Sequence, residues 1–314
     1  MIARFRADIT ALWPEGERLA LAVSGGPDSL ALLLLAHAVR PDAIEAATVD
    51  HRLRPQAQAE AQMVANLCQG LGVQHEVLRV QVGQGNIQSM ARKARYAALS
   101  DWMKQRSIVR LATAHHCDDQ AETLVMRLNR GSGLSGLAGV RKSGQVPGTQ
   151  FALIRPLLGW RKAELAKLLA DCGIEPAQDP SNCDEAFDRV RMRNQLAQTP
   201  WLDSEAIAQS AAHLADAEQV LVWAAQREWD DHVRIADDQI AYVPHAPRAV
   251  RLQILARAIA MLGSEPRGGA VAKLLDALEA GQNGNLAGVL VTPSDSGWTL
   301  QAEPRRSKSS SGDA

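Results

Sequence analysis

The sequence predicts an α/β fold: a doubly wound parallel sheet followed by a smaller, mainly helical C-terminal domain. Three observations lead there. Short apolar runs alternate with longer amphipathic stretches over roughly the first two-thirds of the chain. A glycine turn directly follows the first of these runs and opens a helical pattern. Around Thr199-Pro200-Trp201 the character of the chain changes, and acidic residues become more frequent beyond it.

Strands are expected near Leu19–Val23, Ile44–Val49, Val73–Val80, Val109–Ala114 and Phe151–Ile154. Helices are expected between and after them, near Ser29–Ala38, Ala57–Leu71, Ile87–Gln105, Asp119–Leu128 and Glu164–Cys172. Strands separated by helices of this length form right-handed βαβ units, so the sheet is parallel and covered on both faces. Past the change, Ser204 reads as the N-cap of a long helix running towards Asp231. Pro247–Leu262 and Gly268–Ala280 read as further helices, with short strands at Leu286–Val291 and Trp298–Gln301. The expected division is a catalytic domain over residues 1–200 and a helical linker with a small domain over 201–314. The polar residues 305–314 are expected to be disordered.

Composition narrows the function classes. The chain has 314 residues, 46% hydrophobic and 22% charged, which suits a globular protein with a sizeable core. No apolar run is long enough to span a membrane, and the N-terminus lacks the pattern of a secretory signal, so a cytoplasmic location is expected. Cys68, Cys117, Cys172 and Cys183 include no C-x-x-C pair, which fits neither a disulfide framework nor a zinc site. The formal net charge is −1. Any nucleic-acid contact must therefore come from local clusters of Lys and Arg.

The most informative segment is Leu19–Val23 followed by Ser24-Gly25-Gly26-Pro27-Asp28-Ser29 and a helix. A buried strand delivers the chain to a glycine turn, and the helix beyond it points free N–H groups at an anion. Glycine lets the backbone approach phosphate oxygens, and Ser24 and Ser29 add hydroxyl donors. Asp28 is misplaced beside phosphates unless it holds a Mg²⁺ that bridges to them. The G-x-x-x-x-G-K-[ST] loop and the G-x-G-x-x-G pattern are both absent. The plain alternative is a glycine turn capped by Ser or Asp. What remains resembles the S-G-G-x-D-S pyrophosphate loop of the N-type ATP pyrophosphatases. Those enzymes cleave ATP between the α and β phosphates and pass AMP to a substrate oxygen.

Further motifs fall just beyond expected strand ends, where an open α/β sheet places its site. They are Asp50-His51-Arg52-Leu53-Arg54, His115-His116-Cys117-Asp118-Asp119-Gln120-Ala121-Glu122, Arg130-Gly131-Ser132-Gly133 and Arg155-Pro156-Leu157-Leu158. With Asn86-Ile87-Gln88, Arg92, Arg95-Tyr96 and Asp179-Pro180-Ser181-Asn182, they resemble the tRNA(Ile)-lysidine synthases. The resemblance is dense from Leu19 to Arg193 and continues weakly through Asn285–Val289 and Glu303-Pro304-Arg305.

That resemblance implies an adenine nucleotide alpha hydrolase-like fold and a reaction with ATP and Mg²⁺. ATP adenylates the C2 oxygen of the wobble cytidine in the CAU anticodon of tRNA(Ile). L-lysine then displaces AMP, forming lysidine. ATP would be held by Ser24, Gly25, Gly26, Pro27, Asp28 and Ser29, with Asp28 on Mg²⁺. The chemistry would fall to Asp28, Asp50, His115, His116, Asp118, Asp119 and Glu122. Loop N–H groups stabilise charge on the transferring phosphates, and the three carboxylates after the fourth strand can receive the lysine ammonium. Either His115 or His116 can move the proton. A metal cluster at His-His-Cys-Asp-Asp is disfavoured, because adjacent histidines do not by themselves make a zinc site. Asp119 has an equally good reading as the N-cap of its helix, with Glu122 completing a capping box. Cys117 reads as a small buried filler.

The resemblance points Arg92 and Arg95, on one helix, towards tRNA or the ATP phosphates, against the plain reading of a solvated basic face; Arg130 and the alternating Arg189, Arg191 and Arg193 are further candidate tRNA contacts. Phe187 and Val190 depart from the usual pattern, which has an aromatic hydroxyl at the first position and Arg-Asn-Arg-Ile-Arg where this chain has Arg189 to Arg193. Longer members add a further C-terminal domain that grips tRNA, and this chain is expected to lack it. Oligomeric state is left open, a homodimer included. Two competing readings are a tRNA thiolase, weakened by the missing cysteine pair, and a non-catalytic nucleotide- or RNA-binding module.

Overall fold

The computed structural model describes residues 1–51, 57–81, 87–177, 185–266 and 268–303. Expectations placed on Arg52, Leu53, Arg54, Asn86, Asp179 to Asn182, Cys183 and the tail from Pro304 lie outside the described residues. The chain divides into two compact units, Met1–His213 and Leu214–Ala314.

The first unit contains α1 (Ile2–Thr10), β1 (Leu19–Ala22), α2 (Pro27–Val39), β2 (Ile44–Asp50), α3 (Ala57–Leu71) and β3 (Gln74–Arg79). It continues with α4 (Ile87–Gln105), β4 (Arg110–Ala112), α5 (Cys117–Asn129), the short α6 (Leu134–Leu137), β5 (Ser143–Gln145) and β6 (Ala152–Ile154). Helices α7 (Lys162–Asp171) and α8 (Asp188–Ala197) follow, and α9 (Ser204–His232) begins here. The sheet order is β3-β2-β1-β4-β6-β5, parallel except where β5 runs antiparallel to β6.

Strand β1 shows why two layers of helix are needed, since all four of its residues are buried. Leu19 and Leu21 face a core shared with α1, α2, α3 and α7, while Ala20 and Ala22 face α4. The alanines leave room for the larger side chains of Tyr96, Leu99, Trp102 and Met103, which form the buried face of α4. Of the Met90, Ala94, Ala98 and Trp102 stripe that helical periodicity suggests, Trp102 belongs to that face and the other three lie outside it. Helix α2 is apolar nearly all round because it lies deep in the core, with Leu30, Leu32, Leu33 and Leu35 almost fully buried.

Two elements of this unit carry little apolar signal. Helix α1 buries only Phe5 and Ile9, and the Phe5 and Trp160 rings pack edge to face with their centroids 6.4 Å apart. Strand β5 is the exposed polar edge Ser-Gly-Gln. Helix α9 is capped by Asp203, whose Oδ1 accepts from Glu205 N at 3.0 Å, so the expected cap Ser204 is the first helical residue instead.

The second unit contains the rest of α9, then β7 (Val233–Ala236), β8 (Gln239–Tyr242), α10 (Arg248–Leu262) and α11 (Gly268–Glu279). It ends with β9 (Gly284–Leu286), β10 (Val289–Ser294) and β11 (Gly297–Ala302). Besides the expected helices it holds a five-stranded antiparallel sheet, β7-β8-β11-β10-β9. Its core joins Ile240, Tyr242, Val289, Val291 and Leu300 to Ile254, Leu255, Ile259, Val271, Leu275 and Leu278. Glu228 on α9 is buried and accepts hydrogen bonds from the Tyr242 hydroxyl and from the backbone N–H groups of His245 and Ala246.

Candidate active site

Strand order locates the site before any side chain is considered. From β1 the chain moves outward to β2 and β3 on one side, then crosses back to β4 on the other. A reversal of this kind opens a crevice at the carboxyl ends of the two central strands, β1 and β4. The glycine loop follows β1, and the His-His-Cys-Asp-Asp segment follows β4.

In the loop, Gly25 adopts φ +87°, a left-handed conformation that side chains rarely accept, and the backbone bends there into α2. Gly26 is the N-cap and Pro27 the first helical residue, so the N–H that proline lacks would have had no helical partner. Ser29 knits the turn together: its Oγ accepts from Ser24 N at 3.1 Å and donates to Gly26 O at 3.0 Å. The exposed Ser24 side chain and the first-turn N–H groups remain available to an anion. Asp28 Oδ1 is buried without a protein partner, a position suited to a cation.

His116 is the N-cap of α5, and this corrects the cap assignment to Asp119. The His116 Nδ1 accepts from Asp119 N at 3.4 Å, while Asp119 Oδ2 accepts from His116 N at 3.1 Å. Asp119 is therefore the third-position partner of the box, and Glu122 has no part in it. With Nδ1 accepting, Nε2 carries the imidazole proton and faces Asp28 Oδ2 at 3.5 Å. Burial works against a charged imidazole, but Asp28, Asp119 and Asp118 outweigh it and raise the His116 pKa. Burial also opposes ionisation of Asp119, yet His116 and Arg189 hold its carboxyl below the usual range.

His115 points elsewhere. Its Nδ1 is 3.0 Å from the Thr113 hydroxyl, and burial lowers its pKa to about 4; Asp119 opposes that shift, whereas Arg155, Arg189 and Arg95 reinforce it. The two neighbouring imidazoles thus occupy opposite electrostatic settings. Asp118 Oδ2 accepts from Lys162 N at 2.8 Å, and its other oxygen lies 3.7 Å from Arg161.

Glu122 is 2% exposed and is held by both Arg189 Nε at 2.7 Å and Arg193 Nε at 2.8 Å. Arg189 also reaches Asp119 Oδ1 at 3.0 Å. Two of the arginines expected to meet RNA therefore turn inward, tying α8 to α5. Arg191 and Arg130 both pair with Asp188 at the surface. Asp50 ends β2 beside β1, and the next residue, His51, lies close enough to Arg95 for burial and that charge to lower its pKa. Cys117 is 1% exposed with its thiol pushed up to about 11 by burial, as a buried filler should be.

Beside the crevice lies a cavity of about 450 Å³ whose charged lining is Asp118, Glu122, Arg161, Lys162, Arg193 and Asp203. Arg161, Lys162 and Asp203 carried no motif signal. Gln120 was likewise not singled out. Its amide donates to Val140 O and accepts from Val140 N, both at 2.7 Å, fastening the glycine-rich segment after α5.

Comparisons with known proteins agree with this geometry. Residues 2–199 match the PP-loop domain family. The tRNA(Ile)-lysidine synthase of Novosphingobium aromaticivorans is 47% identical over 96% of this chain and 94% of its own length. That of Zymomonas mobilis is 36% identical over 93% of this chain and 91% of its own. That of Ruegeria pomeroyi is 37% identical over 93% and 72%. Among solved structures, the U34-tRNA thiolase NcsA from Methanococcus maripaludis superposes with a TM-score of 0.57 at 16% identity, covering 68% of this chain and 77% of its own, a likeness of fold. No helix among the described residues is long and apolar enough to cross a membrane. The chain belongs to the tRNA(Ile)-lysidine synthase family of PP-loop enzymes.

Proposed function

We propose that this chain uses ATP to adenylate the C2 oxygen of the wobble cytidine in the CAU anticodon of tRNA(Ile), and that L-lysine then displaces AMP to form lysidine. The observation that carries this reading is the convergence on Asp28 of the β1 phosphate loop and the β4 histidine–carboxylate segment, His116 to Asp28 being 3.5 Å.

In the first step the base oxygen attacks the α phosphate and pyrophosphate leaves. The Gly25-Gly26 turn and the first N–H groups of α2 face the departing charge, with the Ser24 hydroxyl beside them. The unpartnered Oδ1 of Asp28 fits a Mg²⁺ ion. No group of three or more His, Cys, Asp or Glu is arranged for a metal among the described residues, so such an ion would take its other ligands from phosphate and water, as Mg²⁺ usually does. Bound there, it would neutralise charge on the phosphates.

In the second step the lysine amine attacks C2 of the base, AMP leaves, and the amine gives up a proton. The cavity next to Asp118 and Glu122 has both signs of charge, as a zwitterionic amino acid requires. Arg161 and Lys162 suit its carboxylate. Asp118 suits an ammonium, whereas Glu122 is already held by two arginines and Asp203 is paired with Arg161 at 3.1 Å. Burial lowers the His115 pKa to about 4, which makes it a weak base at neutral pH. Both ring nitrogens of His116 are engaged, by Asp119 N and by Asp28, so the amine proton passes to the neighbouring Asp118 carboxylate.

Pyrophosphate release from ATP tests the first step. Release stimulated by a CAU-anticodon tRNA(Ile) transcript is expected. Release indifferent to that tRNA, or none from folded protein, would argue for a different acceptor or for a binding module.

A further inference from the structure

On the α4 side of the crevice lies a cluster of cations that the two steps above do not use. Arg92, Arg95 and Tyr96 sit one turn apart on α4 and share a face. The Arg92 guanidinium lies 5.0 Å from the Tyr96 ring centroid. Tyr96 is buried, and its hydroxyl is hydrogen-bonded to Arg155, the residue that follows β6.

Arg155 is 9% exposed. Its Nη1 donates to Arg141 O at 2.7 Å, but its Nε is buried without a partner. Among the described residues none of these three arginines is ion-paired with a carboxylate. Asp119 and Asp50 act on the neighbouring His115 and His51 rather than forming ion pairs with these arginines. His115 and His51 are both held neutral, by burial first and then by these arginines. A buried guanidinium with an unused donor and no counter-charge is costly unless a ligand completes it.

The ligand must be an oxyanion, and three are available in this reaction. The ATP phosphates have the β1 loop and α2, whose helix packs on the opposite face of the sheet from α4. The lysine carboxylate has Arg161 and Lys162 in the cavity. Nucleic-acid phosphate remains, and the exposure gradient favours it: Arg92 is exposed, Arg95 half-buried and Arg155 buried. That gradient leads a polyanion from the surface towards the crevice.

We propose that Arg155, with Arg95 and Arg92, forms a phosphodiester subsite that holds the backbone of the nucleotide whose base is modified. The inference rests on the lysidine-forming reading of the site. In it Arg155 is a binding residue at the inner end of the tRNA path, and Tyr96 positions it.

The test uses full-length Arg155→Met and Arg155→Lys proteins. It measures tRNA dissociation constants over a range of KCl, together with KM for ATP and for lysine. For the Met variant, tRNA affinity should fall about tenfold or more, and the slope of log affinity against log salt should shrink by about one phosphate contact. The Lys variant should recover the slope but not the full affinity, because one ammonium replaces the guanidinium fork. Both KM values should stay near wild type. A residue that merely braced Arg141 would leave the salt slope unchanged, and that outcome overturns the proposal. So does a loss confined to the lysine KM, which would make this a carboxylate subsite, or to the ATP KM. If the Met variant fails to fold, the Lys variant decides by the same criterion: unchanged tRNA affinity is contrary. Wild-type protein that forms lysidine while its variants bind tRNA normally defeats this inference alone, whereas wild-type protein forming none defeats the reading beneath it.

Discussion

Asp28 and His116 face each other across the carboxyl edge of the sheet, Oδ2 to Nε2 at 3.5 Å, one following β1 and the other following β4. Because β1 and β4 are hydrogen-bonded neighbours, the pair joins the phosphate loop to the carboxylate-bearing helix α5. Asp28 still keeps one buried oxygen unpartnered. Replacing it with Asn preserves shape but removes the charge a cation needs. Asp28→Asn should lower tRNA-dependent pyrophosphate release by about a hundredfold or more while the melting temperature changes little. Activity near wild type would remove Asp28 from the reaction.

Glu122 makes a different kind of prediction. It is almost fully buried under Arg189 and Arg193, so Glu122→Gln leaves two guanidinium groups facing a neutral amide. Urea unfolding should show a loss of about 2 kcal/mol, the scale for hydrogen bonds to charged groups. The lysine KM should rise as the cavity wall formed by α5 and α8 loosens. Unchanged stability would mean that solvent compensates both arginines.

Gln120 clamps Val140 through both ends of its amide, and Gly139 beside it has φ +62°. A methyl group on Gly139 would meet Gln120 Oε1 at 2.7 Å. Gly139→Ala should therefore cost about 1–3 kcal/mol, from backbone strain and the displaced clamp. Gln120→Ala should release the same segment without the backbone penalty. Limited proteolysis after α5 reads this directly: faster cleavage is expected in both variants, and an unchanged rate would show that the clamp is not what orders the segment.

How far the sequence could be read follows from where its signal was local. Most of the parallel strands were legible as apolar runs between helical periods, while the polar β3, Gln74–Arg79, was legible from its place between two helices. The phosphate loop was legible because glycine, proline and acid coincide at a strand end. The β7–β8 hairpin was not legible: its turn is Asp237-Asp238, with Asp237 at φ +49°, where a glycine would have announced it. Arg189, Arg191 and Arg193 looked like one alternating patch. On helix α8 the first and last share a face against Glu122, and the middle one turns to Asp188. Arg155 could not be ranked from sequence, since its setting depends on β6 pairing with β4 to bring it beside His115 and α4.

In the second unit, Glu228 ties stability to pH. Burial would raise its pKa, but the His245 and Ala246 N–H groups, then the Tyr242 hydroxyl and His232, hold it below the usual value of 4.5. The unfolded carboxyl binds its proton more readily than the folded one. The stabilisation is therefore complete above the unfolded pKa and is lost as pH falls through the lower folded value. Melting of wild type should weaken from about pH 6 to about pH 3 more steeply than that of Glu228→Gln. Parallel curves would contradict the assignment.

The proposed reaction attaches lysine to the wobble cytidine at the expense of ATP. It is checked by incorporation of radiolabelled lysine into an unmodified tRNA(Ile) transcript with a CAU anticodon. ATP-dependent label that disappears when the wobble cytidine is changed is the predicted result. Folded, ATP-binding protein that incorporates no label, or that labels the altered transcript equally well, would contradict it.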